Sequence, residues 1–216
     1  MGQLHAHTGT SDLSDTDFAH EAAIARLIAV AAEAERRIAA QARRIAELEA
    51  LSYTDELTGL FNRRGLWEAA ERALAAAQRH KETGGLAYLD LDGFKSINDR
   101  FGHEAGDTML RAAAHAIHGQ IRSTDAAARL GGDEFAILFT NGDPAALRAK
   151  AERVRIVLMN TNVDLGTAKV QIRASLGFAQ YRPGVTRDKL LAAADAAMYA
   201  DKRKRKAAGF LMDAAV

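Results

Sequence analysis

The chain has 216 residues, 48% of them apolar, enough for one domain of ordinary size with a buried core plus an accessory segment. Its 29 lysines and arginines nearly balance 28 aspartates and glutamates, so no global field recruits nucleic acid or an anionic membrane, and an anionic ligand must be captured locally. With no cysteine, no signal-peptide-like start and no run of about eighteen apolar residues, disulfides and thiolate chemistry are excluded, and a cytoplasmic protein without a membrane span is expected.

Residues 1–17 are polar and lack periodicity, which predicts a disordered leader. From Phe18 the chain turns alanine-rich and charged, and Ile24, Leu27, Ala31, Ala34, Ile38, Gln41, Ile45, Leu48 and Ser52 recur at spacings of three and four. That seam lasts about four heptads, so residues 18–51 predict a coiled-coil dimerisation helix in preference to a helix lying on its own domain. The heptads stop at Ser52-Tyr53-Thr54-Asp55-Glu56-Leu57-Thr58-Gly59, a cluster of cap and turn residues that marks the start of one domain over 52–216. Within it, 63–80 read as a helix, 86–91 as a buried strand and 107–121 as a helix. Residues 126–130 and 135–139 read as short strands and 145–159 as a helix. Residues 170–178 read as a strand with Val170, Ile172, Ala174, Leu176 and Phe178 on one face, and 189–204 as a closing helix. The order β-α-β-β-α-β plus additional helices fits an α+β, ferredoxin-like sandwich whose helices cover one face of an antiparallel sheet.

Two acidic clusters stand out. The first, Asp90-Leu91-Asp92-Gly93-Phe94-Lys95, lies where a strand ends, and a period of two puts Asp90 and Asp92 on the side away from Leu89 and Leu91. Two carboxylates there repel each other and lose hydration unless a cation or hydrogen bonds compensate; a divalent metal would do so. Gly93 lets the backbone approach a ligand, and a helix starting near Phe94 offers N–H groups to phosphate. Taken alone, the pair also fits aspartates that merely cap the next helix. The second cluster is Arg129-Leu130-Gly131-Gly132-Asp133-Glu134-Phe135, in which Gly131-Gly132 signals a two-residue hairpin turn with two carboxylates at its tip. If this hairpin pairs beside the Asp90 strand, oxygen ligands converge on one point suited to Mg²⁺ and nucleotide phosphates.

The run from Arg129 to Phe135 is similar to the signature of the diguanylate cyclases, or GGDEF domains. Three further stretches match in the family's order: Asp55-Glu56-Leu57-Thr58-Gly59-Leu60-Phe61-Asn62-Arg63-Arg64, then Asp90 onward through Ser96-Ile97-Asn98-Asp99, then Phe101-Gly102-His103-Glu104-Ala105-Gly106-Asp107. With Ser175-Leu176-Gly177 the resemblance runs from Ser52 to about Gly209. It implies Asp90, Asp133 and Glu134 as the catalytic cluster, and the same three with the Leu91 backbone carbonyl as metal ligands. Which carboxylate acts as general base it leaves open. It further implies that Gly93, Phe94 and Lys95 meet phosphate, and that Asn98 and Asp107 read guanine, whose N1–H and amino group are donors that adenine does not offer as a pair. Lys202 matches a phosphate-binding lysine. Beyond it Arg205-Lys206-Ala207 departs from the usual Gly-Arg-Asn, so Lys206 stands in for the second cation without a forked head.

The implied reaction condenses two GTP into cyclic di-GMP and two pyrophosphates, with Mg²⁺, or Mn²⁺ as a possible substitute. Each domain is implied to hold one GTP, so two must meet, and a coiled-coil homodimer would raise their effective concentration. Arg122-Ser123-Thr124-Asp125 resembles the family's inhibitory Arg-x-x-Asp, with Arg153 as its additional arginine, which implies a site where cyclic di-GMP inhibits. A catalytically silent GTP or cyclic di-GMP receptor, and a scaffold whose helix binds another protein, are the competing functions.

Overall fold

The computed structural model describes residues 12–51, 53–166 and 168–207. The chain divides into two units, Met1–Ser52 and Tyr53–Val216. Among its described residues the first contains one helix, α1 (Asp12–Leu51), which at 1.5 Å per residue is about 60 Å long. It begins within the segment expected to be a leader, whose residues 1–11 lie outside the described part. Along it Ile24, Leu27, Ile38 and Ile45 are all more than half exposed, Ile38 at 65%. Glu33 pairs with Arg36 at 3.0 Å and Arg37 at 3.3 Å, exposed contacts of small worth.

The second unit runs α2 (Arg63–His80), β1 (Gly84–Leu91), α3 (Phe94–Phe101), α4 (His103–His118), β2 (Ala126–Gly131), β3 (Glu134–Phe139) and α5 (Pro144–Met159). It continues with β4 (Asn162–Asp164), β5 (Lys169–Gln171), β6 (Ala174–Tyr181) and α6 (Arg187–Ala207). The main sheet has the order β2-β3-β1-β6 with antiparallel neighbours, the ferredoxin-like arrangement expected, and β4 pairs β5 in a separate ribbon. β1 is central and buried at all eight positions, so both of its faces need cover. The expectation of helices on one face is therefore corrected. Leu89 and Leu91 pack with α4 and α5, while Leu86 and Tyr88 pack with α2 and α6.

Three local readings also change. The helix expected over 107–121 starts at His103 and follows a separate α3, because Gly102 (φ +84) breaks the run between them. The strand expected over 170–178 is two strands in two sheets; the Ile172 N–H donates to the Thr161 carbonyl at 3.0 Å where the chain passes from one to the other. Its alternation still reports the buried side, since Ile172, Ala174, Leu176 and Phe178 all enter one cluster. In the hairpin, Gly131 pairs with Glu134, so the turn residues are Gly132 (φ +52) and Asp133 and not the two glycines, with a register shift at Leu130. The exposed edge of β2 is covered by the leading segment: Phe61 donates to Ala127 at 3.0 Å and accepts from Arg129 at 2.8 Å.

Candidate active site

The site forms where β1 runs out of apolar residues. Asp90 lies directly across the β1–β3 ladder from Glu134, and the Leu91 N–H donates to the Asp133 carbonyl at 3.1 Å. The hairpin thus pairs beside the Asp90 strand, as the sequence required for a shared site. Two arginines hold its turn: Arg129 donates to the Gly132 carbonyl at 2.9 Å and bridges to Asp55 at 3.3 Å, and Arg63 donates to the Leu130 carbonyl at 3.2 Å. Glu134 is oriented from the sheet itself, because the Tyr88 hydroxyl, two residues before Asp90 on the same face, donates to its Oε2 at 3.2 Å. Arg63 lies 3.9 Å from that oxygen. Burial, then the charge of Glu134, pushes the Tyr88 phenol up to about 12, so it stays a donor.

Helix α6 completes the cluster. It crosses β6 at Gly177, where a Cβ would stand 2.0 Å from the Ala194 carbonyl, so only glycine permits this approach. Asp201 then accepts from the Leu176 N–H at 3.1 Å, and Lys202 reaches Asp90 at 2.5 Å. Burial alone would lower the Lys202 ammonium, but the hydrogen bond and charge of Asp90, with Asp92 and Asp133, carry it upward. Asp133 is raised by burial and then by Asp90. Carboxylates crowded this way gain from a further cation, and the oxygen donors of Asp90, Asp133 and Glu134 suit a hard divalent ion. Among the described residues no three acidic or histidine side chains already converge on one point, so the expected convergence is met only in backbone register. The physical reason is that Asp90 is turned onto Lys202 and Glu134 onto Tyr88 and Arg63.

Beside this cluster Gly93 (φ +76) starts α3 with no side-chain cap, so the first amides of the helix, with Phe94 and the exposed Lys95, border the Asp90 end of β1. Asn98 sits against α4: a Cβ on Gly106 would come within 2.0 Å of its Oδ1, a buried oxygen with no hydrogen-bond partner. Asp107 is the next residue and half-buried. A buried, unpartnered amide oxygen beside a carboxylate is what a base-reading pair requires before its ligand arrives. Lys206 is exposed and joins none of these contacts. Arg205, which sequence reasoning passed over, turns inward to Asp92 at 3.5 Å; its one available signal was its spacing of one helical turn from Lys202.

The residues assigned to product inhibition separate. Arg122 and Asp125 line a common cavity of about 390 Å³ with Phe61 and His118, whereas exposed Arg153 is not in its lining. The α5 residue that reaches the motif is Lys150, 2.5 Å from Asp125. Asp125 is only 2% exposed and also accepts from the Arg122 N–H at 2.9 Å and the Thr140 N–H at 3.2 Å. These contacts tie the loop together around Asp125.

A family model described as the diguanylate cyclase GGDEF domain matches residues 52–208. The chain belongs to the GGDEF diguanylate cyclase family. This GGDEF domain is 40% identical over 154 residues to the bifunctional diguanylate cyclase/cyclic di-GMP phosphodiesterase MucR of Pseudomonas aeruginosa, covering 71% of this chain and 22% of that one. It is 40% identical over 166 residues to the diguanylate cyclase TpbB of the same organism, covering 74% and 38%. The coiled coil and GGDEF domain of DgcB from Caulobacter crescentus, solved with c-di-GMP, match with a TM-score of 0.65 and 35% identity over 83% of this chain and 94% of that one. The chain therefore spans less than half the length of these two curated relatives. Among the described residues no helix is long and apolar enough to cross a membrane.

Proposed function

We propose that this chain condenses two GTP molecules into cyclic di-GMP. The observation that carries the reading is Asp90 paired in register with Glu134, with Asp133 in the turn between β2 and β3 and Lys202 overhead. In each half-reaction the 3′-hydroxyl of one GTP gives up its proton and its oxygen bonds to the α-phosphorus of the other, while the bond to the bridging oxygen breaks and pyrophosphate leaves. Asp90, Asp133, Glu134 and the Leu91 carbonyl would hold a divalent ion, Mg²⁺ or Mn²⁺, which supplies charge neutralisation at the phosphates. Lys202 moves from Asp90 to phosphate, the amides of Gly93, Phe94 and Lys95 bind the chain of phosphates, and Lys206 adds an outer charge. Asn98 and Asp107 select guanine.

Each domain holds one substrate, so two must face each other. The exposed apolar stripe of α1 supports a coiled-coil homodimer as the tether, and the likeness to the coiled coil and GGDEF domain of DgcB agrees. The near-neutral charge supports a function without recruitment to nucleic acid or an anionic membrane. Arg122 and Asp125 lining one cavity support product inhibition by cyclic di-GMP there, with Arg153 as the additional arginine. Incubation with GTP and Mg²⁺, read by chromatography, tests the function. Cyclic di-GMP is the expected product; binding of GTP without product would identify a receptor and overturn the enzyme.

A further inference from the structure

The roles above leave Arg205 unused, yet its side chain is only 12% exposed while Arg203, Lys204 and Lys206 on the same turns of α6 are exposed. Its Nε lies 3.5 Å from Asp92 Oδ2, an ion pair with no hydrogen bond between those two atoms, and that carboxylate is 2% exposed. The other Asp92 oxygen accepts the Ser175 hydroxyl at 2.7 Å, and the Asp92 N–H donates to the Arg173 carbonyl at 2.9 Å. The residue after Asp92 is Gly93, from which the uncapped α3 begins. One turn earlier on α6, Lys202 meets Asp90 at 2.5 Å. Asp90 near the end of β1 and Asp92 just beyond it therefore each face a cation of α6, the two cations three residues apart and on one helix face.

A buried guanidinium–carboxylate pair contributes little net stability, since lost hydration offsets the attraction. What it does supply is a fixed direction, because breaking it leaves a charge buried alone. We propose that Arg205 is a positioning residue for nucleotide binding: by clamping the last turns of α6 to Asp92 it holds the Gly93 corner and Lys202 in register for a triphosphate. The inference rests on the reading that GTP binds here. It also accounts for the departure at this end of α6, because an inward arginine at 205 fixes from within what an exposed Lys206 does not.

The test is Arg205→Met, which keeps most of the stem and removes the charge. Titration calorimetry with the α,β-methylene analogue of GTP and Mg²⁺ should give a Kd about tenfold weaker, equivalent to about 1.4 kcal/mol. Turnover at saturating GTP should stay within about threefold, the pattern of lost ground-state binding. Arg205→Lys should recover part of the affinity. A folded Arg205→Met with wild-type Kd overturns the proposal. Should that variant not fold, Arg205→Met with Asp92→Asn buries no lone charge and carries the same test: weakened binding supports the clamp, and wild-type binding overturns it. A wild-type protein that fails to bind the analogue overturns the function reading and this inference together, whereas binding that every Arg205 variant shares overturns the inference alone.

Discussion

The backbone that carries Asp133 and Glu134 is held in place by groups other than their own carboxylates. The turn rests on the left-handed Gly132 and on Arg129 and Arg63 bonding to backbone carbonyls, and Glu134 is aimed by Tyr88. Replacing Asp133→Asn together with Glu134→Gln should therefore abolish cyclic di-GMP synthesis, by about a hundredfold or more, the scale on which active sites lose rate with a charge-stabilising group. Circular dichroism should find the fold intact. Near-wild-type turnover by the folded double variant would remove these carboxylates from the chemistry. Burial and Asp90 already push the Asp133 carboxyl up, so its charge at neutral pH works against the metal-free fold and its removal should not lower Tm.

The elements bring these residues together, and α6 on β6 is the contact on which Lys202 and Arg205 depend. Gly177→Ala would put a Cβ 2.0 Å from the Ala194 carbonyl and 2.2 Å from the Met198 nitrogen, both backbone atoms of α6. The helix must shift, which should cost about 2 kcal/mol or more in denaturant unfolding and weaken GTP binding as Lys202 leaves Asp90. An alanine variant with wild-type stability would mean that α6 does not press on this glycine. At the far end of β6, Tyr181 is buried and donates to the Phe139 carbonyl at 3.3 Å, and burial, then Glu82 and Asp125, pushes its phenol up to about 12. A raised pKa stabilises the fold fully below the ordinary value of 10.0, and that stabilisation is lost as pH rises towards 12. Between those limits Tyr181→Phe should flatten the fall of unfolding free energy with pH; equal slopes would place Tyr181 in contact with water.

The molecule as a whole is expected to work in pairs, through a helix whose apolar stripe stands exposed along a single chain. Ile38→Lys with Ile45→Lys places like charges in the seam and should split the dimer in sedimentation. Specific activity should then fall and depend steeply on protein concentration, since two half-sites would have to meet by diffusion. Full activity in a species that sediments as a monomer would end the two-domain scheme.

Local order was legible in the sequence because it is written in spacing. The alternation from Ile172 to Phe178 and the acidic runs at Asp90 and Asp133 each report which side a residue faces, and those sides agree with the structure. The β-α-β-β-α-β order followed from the same periodicities, and the antiparallel sheet agrees with it. What spacing does not carry is which distant groups meet. The break at Ile172, the second helical face on the sheet, the turn at Gly132-Asp133, the pairing of Lys150 with Asp125 and that of Arg205 with Asp92 all depend on partners far along the chain. A buried charge takes whichever counter-charge the packed elements bring within reach, and that choice is made by helix placement on the sheet, which only the tertiary structure decides.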